Sequence, residues 1–186
     1  WLIFYKYINT SFHDSYNTFM RIFIVGAMAS GKSSIGVKLA KSLHLDFFDT
    51  DHMIEKKTGV NISWIFEKEG EKGFRSREEL AMEEISKKDN FVLATGGGAI
   101  LSKKNRSIIK KGDHVIYLMV SIKTQLKRTM YNKSRPLINV DDKEKTLRAI
   151  AKDRAKFYEK IATIKINPND RNLSYTVDKI TKQING

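Results

Sequence analysis

Five short apolar or β-branched runs punctuate the chain at regular intervals. They are Arg21-Ile22-Phe23-Ile24-Val25, Asp46-Phe47-Phe48-Asp49, Phe91-Val92-Leu93-Ala94, His114 to Met119 and Thr163-Ile164-Lys165-Ile166. Between them the apolar positions return at helical spacing, as at Ile35, Leu39 and Leu43, and again over residues 75–87, 122–130 and 143–160. Strands that alternate with helices predict a parallel sheet covered on both faces, because each crossover helix must pack back onto the sheet. The expected architecture is therefore α/β, a three-layer sandwich around a central five-stranded parallel sheet. Such sheets bind ligands at the carboxyl ends of their strands, and the first three strands are each followed by a polar or glycine motif.

Residues 1–20 break the pattern. Trp1-Leu2-Ile3-Phe4-Tyr5 is apolar, but the segment has neither a helical nor a strand period, and it lacks the full set of features of a signal peptide. With Met20 immediately before the first strand, residues 1–19 are expected to be an extension outside the native fold and residues 20–186 a single domain.

Composition narrows the class further. The 186 residues include no cysteine and only two prolines, which excludes a disulfide scaffold and a thiolate metal site. No apolar run approaches the ~20 residues of a membrane-spanning helix, so a cytoplasmic protein without membrane contact is expected. The net charge of +13 is carried mostly by dispersed lysines, and Lys103-Lys104 and Lys110-Lys111 are only short clusters. A dedicated nucleic-acid site is not expected from that distribution, although a basic surface favours the approach of anionic substrates.

The chemistry is concentrated after the first strand. Gly26-Ala27-Met28-Ala29-Ser30-Gly31-Lys32-Ser33 has the form G-x-x-x-x-G-K-S and lies between a strand and a helix, the context of a phosphate-binding loop. Its glycines let successive N–H groups converge on phosphate oxygens, and the following helix adds its positive end. Lys32 supplies a charge for the outer phosphates and Ser33 a hydroxyl for magnesium.

Asp49-Thr50-Asp51 places two carboxylates two residues apart after the second strand. In extended chain they would share a face, one to hold magnesium through water and one to accept a hydroxyl proton, as phosphoryl transfer requires. The alternative is an Asx-type turn that caps the next helix. Gly96-Gly97-Gly98 suits a backbone that passes close to a small ligand. Arg75, Arg135 and Arg154 stand out where lysine is the default cation, since a guanidinium fork matches carboxylate and phosphate oxygens. Arg75 is expected to begin a helix on which Glu78, three residues on, can pin it. The basic stretch from Lys127 into Ser134-Arg135-Pro136-Leu137 reads as a lid over the nucleotide, approximately residues 128–140.

Taken in order, these motifs resemble the shikimate kinases, which are small P-loop kinases. The carriers are residues 26–36 (G-x-M-x-x-G-K-S-x-x-G), 47–51 (F-x-D-x-D), 70–78 (G-E-x-x-F-R-x-x-E), 96–98 (G-G-G), Arg135-Pro136-Leu137 and 154–162 (R-x-x-x-Y-x-x-x-A). The resemblance spans roughly residues 20–185. It departs at Ala29, where glycine is usual, at Ser34, at Asn132-Lys133-Ser134, which lacks a second arginine before Arg135, and at Leu173, where proline is common.

The resemblance implies transfer of the ATP γ-phosphoryl group to the 3-hydroxyl of shikimate by a monomeric enzyme with one Mg2+. It implies that Gly26, Ala27, Met28, Ala29, Ser30, Gly31, Lys32, Ser33 and Ser34 bind ATP together with Arg128, Arg135 and Arg171, and that Ser33 and Asp49 serve the metal. Asp51 is implied to be the base, assisted by Lys32 and Arg135, and to bind the ring hydroxyls. Arg75 and Arg154 would grip the substrate carboxylate, with Gly96, Gly97 and Gly98 alongside. The competing readings are another small-metabolite kinase such as a gluconate kinase, and a non-catalytic nucleotide-binding regulator.

Overall fold

A computed structural model describes residues 19–130, 136–138, 140–168 and 172–186. Its centre is a five-stranded sheet of β1 (Arg21–Val25), β2 (Asp46–Asp49), β3 (Phe91–Ala94), β4 (His114–Leu118) and β5 (Ile164–Ile166), in the order β2-β3-β1-β4-β5. Every pairing is parallel, with Ile24 beside Ala94 on one side and beside Ile116 on the other. The five expected strands are present, with Met119 and Thr163 falling just outside theirs.

The alternation of side chains along β1 explains why a continuous apolar run can form a strand. Ile22 and Ile24 point to one face, where they meet Ile35 and Leu39 of α1 (Lys32–Leu43) and Val177 and Ile180 of the last helix. Phe23 and Val25 point to the other, against Met82 and Ile85 of α3 (Ile62–Ile85), Ile109 of α4 (Lys103–Ile109) and Tyr158 of α6 (Lys143–Ile161). Both faces of β1 are thus covered, as in other all-parallel sheets. The remaining helices are α2 (Thr50–Thr58), α5 (Ile122–Thr129) and α7 (Leu173–Asn185).

Four helical pieces go beyond the residue ranges that periodicity marked out: α2, α4, α7 and the first part of α3. Asn61 caps α3 through Trp64 N–H, and Ser102 caps α4 through Asn105 N–H, so short polar residues mark these starts. Arg75 does not begin a helix. Gly70, at φ 67° and ψ −176°, interrupts α3, and the helix resumes after it, so Arg75 lies already inside the second part. The first part of α3 and α2 form a satellite whose small core is completed by the second part of α3: Ile54 and Ile65 pack with Phe74 and Ala81.

The chain leaves β1 toward β2 on one side and later returns to β4 on the other, which opens a crevice at the carboxyl end of β1. Of the expected lid, Arg128 and Thr129 lie in α5, and a 3₁₀ turn at 136–138 packs Ile138 and Leu137 near Met28. Residues 131–135 and 139 lie outside the described residues, as do 1–18. Among the described residues no helix is long and apolar enough to cross a membrane.

Candidate active site

Two cavities adjoin in that crevice, of about 450 Å3 and about 320 Å3. The larger surrounds the loop of residues 26–33. Gly26 and Gly31 have φ of 144° and 94°, values that a side chain would strain, and this is what lets the loop curl. Ala29 sits in the left-handed region at φ 59°, which is why glycine is usual there and why the alanine is a local cost. Lys32 begins α1 and donates from Nζ to Gly26 O (3.0 Å) and Ala27 O (2.8 Å), so its ammonium lies across the loop. Arg128 reaches over from α5 to Ala29 O (3.0 Å). Pro168, Leu173 and Thr176 close the far side of this cavity, with Leu173 also packed on the core. Ser34 lines it too, whereas Arg135 and Arg171 lie outside the described residues.

Ser33 Oγ donates to Asp49 Oδ2 at 2.6 Å, and Asp49 Oδ1 accepts from Asp51 N–H (3.0 Å) and His52 N–H (3.4 Å). Asp49 therefore does two things: it caps α2 with one oxygen and meets the loop hydroxyl with the other. The face-sharing argument for Asp49 and Asp51 fails, because Asp51 is in the first turn of a helix rather than in extended chain. The cap, not the strand pleat, sets their relation. A hydroxyl and a carboxylate oxygen in contact are hard donors that fit Mg2+, a cation that keeps waters and takes most of its other ligands from phosphates.

The smaller cavity lies between the satellite and the sheet. Asp51, Glu55 and Asn61 line one side, Phe66, Phe74 and Arg75 another, and Gly96, Gly97, Gly98 and Arg154 the floor. Arg75 is held by two carboxylates, Glu78 (Nη1 to Oε2, 2.8 Å) and Glu71 (Nη2 to Oε1, 2.8 Å). The spacing-based ion pair with Glu78 forms, and Glu71 adds a second brace from the preceding turn. Burial works against the Arg75 charge, but the carboxylates outweigh it and raise its pKa. Arg154 is only 6% exposed.

Glu78 is fully buried, and its Oε1 has no partner among the described residues. Burial pushes its pKa up to about 7; Arg75 opposes the rise, while the Asp51 charge adds to it.

The glycine triplet has a different cause from the one sequence suggested. A methyl on Gly98 would lie 2.1 Å from Arg75 Nη2, and one on Gly96 would lie 2.3 Å from Glu78 Oε1 and 3.1 Å from Asp51 Oδ1. The room is taken by the protein's own charged side chains. Only Gly97 has ordinary clearance, 3.4 Å or more from its neighbours. Two further residues position this loop and were not singled out as site residues. Thr50, fully buried, accepts the Gly96 N–H at 2.7 Å, and Tyr158 donates to Gly97 O at 2.5 Å. The sequence signals for Tyr158 are its place one helical turn after Arg154 and its position in the 154–162 motif.

Met28, Asp51, Gly96 and Gly97 line both cavities, so Asp51 stands where the two meet. The structure brings Lys32, Ser33, Asp49 and Arg128 to the larger cavity, and Arg75, Arg154 and the glycine triplet to the smaller.

Comparison with known proteins gives the family. The shikimate kinase family model matches residues 28–185. The chain is 46% identical over 161 residues to a shikimate kinase of Francisella tularensis, covering 86% of this chain and 92% of the relative. It is 42% identical over 163 residues to that of Vibrio cholerae, covering 88% and 94%. Among solved structures it is similar to shikimate kinase from Acinetobacter baumannii in complex with shikimate, with a TM-score of 0.87, 42% identity, and coverage of 90% and 93%.

Proposed function

Because the chain belongs to the shikimate kinase family, we propose that its two cavities divide one reaction, ATP in the larger and shikimate in the smaller. The reaction is transfer of the γ-phosphoryl group of ATP to the 3-hydroxyl of shikimate, giving shikimate 3-phosphate and ADP. The observation that carries the division of labour is the position of Asp51 on the boundary of both cavities.

The loop N–H groups of residues 26–33 bind the ATP phosphates, and Lys32, already across the loop, turns its ammonium to the outer ones. Arg128 borders the same cavity and supports the nucleotide. Arg75 and Arg154 hold the shikimate carboxylate, which fixes the ring so that its 3-hydroxyl faces the γ-phosphate. Asp51 orients that hydroxyl and accepts its proton as the oxygen attacks phosphorus. The bond from the γ-phosphorus to the bridging oxygen breaks, and ADP leaves with that electron pair. Lys32 offsets the charge on the transferring group, and Arg135, from its motif, does the same. Ser33 and Asp49 would hold Mg2+, Asp49 through water, and the ion when bound supplies charge neutralisation at the phosphates.

The enzyme acts as a monomer in this reading, and a cytoplasmic location fits the cysteine-free composition. The test is ATP consumption with magnesium, comparing shikimate, gluconate, a nucleoside monophosphate and no acceptor. Turnover with shikimate alone is the expected result. Turnover with gluconate instead would overturn the acceptor assignment, and tight ATP binding without turnover would favour the regulator.

A further inference from the structure

The glycine loop is held from beneath by a residue that lines neither cavity. Tyr158 lies on α6 one turn after Arg154, is 3% exposed, and stacks on Tyr117 of β4 with ring centroids 5.0 Å apart and an interplanar angle of 25°. Its phenol donates to Gly97 O. The peptide that follows is trans, so the Gly98 N–H points away from the carbonyl that Tyr158 holds. That N–H is not used by the 3₁₀ turn that follows, whose bonds run from Ala99 N–H to Gly96 O and from Leu101 N–H to Gly98 O. The Arg75 guanidinium lies against the Gly98 Cα, and Arg154 Nη1 would be 3.6 Å from a methyl on Gly97. Two cations and one amide therefore converge on the same corner of the smaller cavity.

We infer that Tyr158 is a positioning residue for the acceptor: by holding Gly97 O it presents the Gly98 N–H to the substrate carboxylate between Arg75 and Arg154. This rests on shikimate being the acceptor. One helix thus delivers both a cation and, one turn later, the clamp that orients the partner amide. Burial raises the pKa of the phenol, so Tyr158 remains a donor at all ordinary pH values. The stacked Tyr117 ring limits its rotation, which keeps the clamp in register.

The experiment compares Tyr158→Phe with the parent on two acceptors, shikimate and an analogue whose carboxylate is replaced by a hydroxymethyl group. The variant loses about one charge-assisted hydrogen bond to the anion, so KM for shikimate should rise about tenfold. Its kcat and its KM for ATP should stay within about twofold. On the analogue, which has no anion to bind, parent and variant should behave alike, whereas a general loosening would affect both acceptors. Arg154 also bonds the phenol, so a variant that keeps the parent's Gly98 amide shift on shikimate would place the loss at Arg154 and overturn the inference. A second arm needs no variant: the Gly98 amide proton of the parent should move downfield on adding shikimate and move little with the analogue. An unchanged KM for shikimate, an equal loss on both acceptors, or a Gly98 resonance indifferent to shikimate would each overturn the inference. A parent enzyme that does not turn over shikimate at all would overturn the acceptor assignment first, and the inference with it.

Discussion

The phosphate loop and the acceptor cavity share a wall, yet they are built in opposite ways. The loop is eight consecutive residues whose conformation is local: two glycines at positive φ, a strand before and a helix after. The acceptor cavity takes Asp51 from α2, Arg75 and Glu78 from α3, three glycines from the loop after β3, and Arg154 from α6, and no two of these elements are sequence neighbours except α2 and α3. A contiguous backbone nest serves any triphosphate, whereas recognition of one small acid needs side chains converging from several elements. The first tolerates local substitution; the second depends on contacts between distant residues.

The largest difference should come from the residue the two regions share. Asp51→Asn should lower kcat by about 10²- to 10⁴-fold, as expected for loss of a general base, while KM for ATP and thermal stability change little. Turnover at the parent rate would show that the proton goes elsewhere.

Next is the buried carboxylate of the acceptor side. The folded protein holds a proton on Glu78 up to about pH 7, where an unfolded carboxylate would release it near 4.5. Its contribution is therefore fully present below pH 4.5 and is lost as pH rises to 7, about 3 kcal/mol in all. Glu78→Gln should remove this slope, so denaturant unfolding of parent and variant from pH 4.5 to 8 should diverge across that window. Parallel curves would mean that Glu78 is ionised throughout.

A smaller effect separates two glycines of one motif. Gly98→Ala must push the Arg75 guanidinium aside and should raise KM for shikimate about tenfold or more, leaving nucleotide binding intact. Gly97→Ala, with ordinary clearance, should perturb thermal stability less than Gly98→Ala. The reverse order would show that Arg75 relaxes easily.

The smallest effect belongs to the phosphate loop. Ala29→Gly removes a left-handed alanine, a cost of about 1–2 kcal/mol, and adds back about 0.5–1 kcal/mol of chain entropy. The net gain of about 0.5 kcal/mol should raise Tm by about 1–2 °C at unchanged kcat.

What the sequence by itself determined is whatever depends on neighbours along the chain. The five strands and their parallel layers follow from apolar runs alternating with helical periods, and the phosphate loop follows from eight adjacent residues. The ion pair of Arg75 with Glu78 follows from their spacing on one helix. Tertiary structure decided the rest. The cap of α2 by Asp49 is a local reading, but that Asp49 also meets Ser33 depends on where β2 lies relative to β1. That Gly96 and Gly98 yield their space to Glu78 and Arg75 depends on α3 crossing the loop after β3. That Tyr158 holds Gly97, 61 residues away, depends on α6 packing beneath that loop. Backbone torsions and helical spacing are read along the chain; close approach between distant elements arises only when the sheet and its helices pack together.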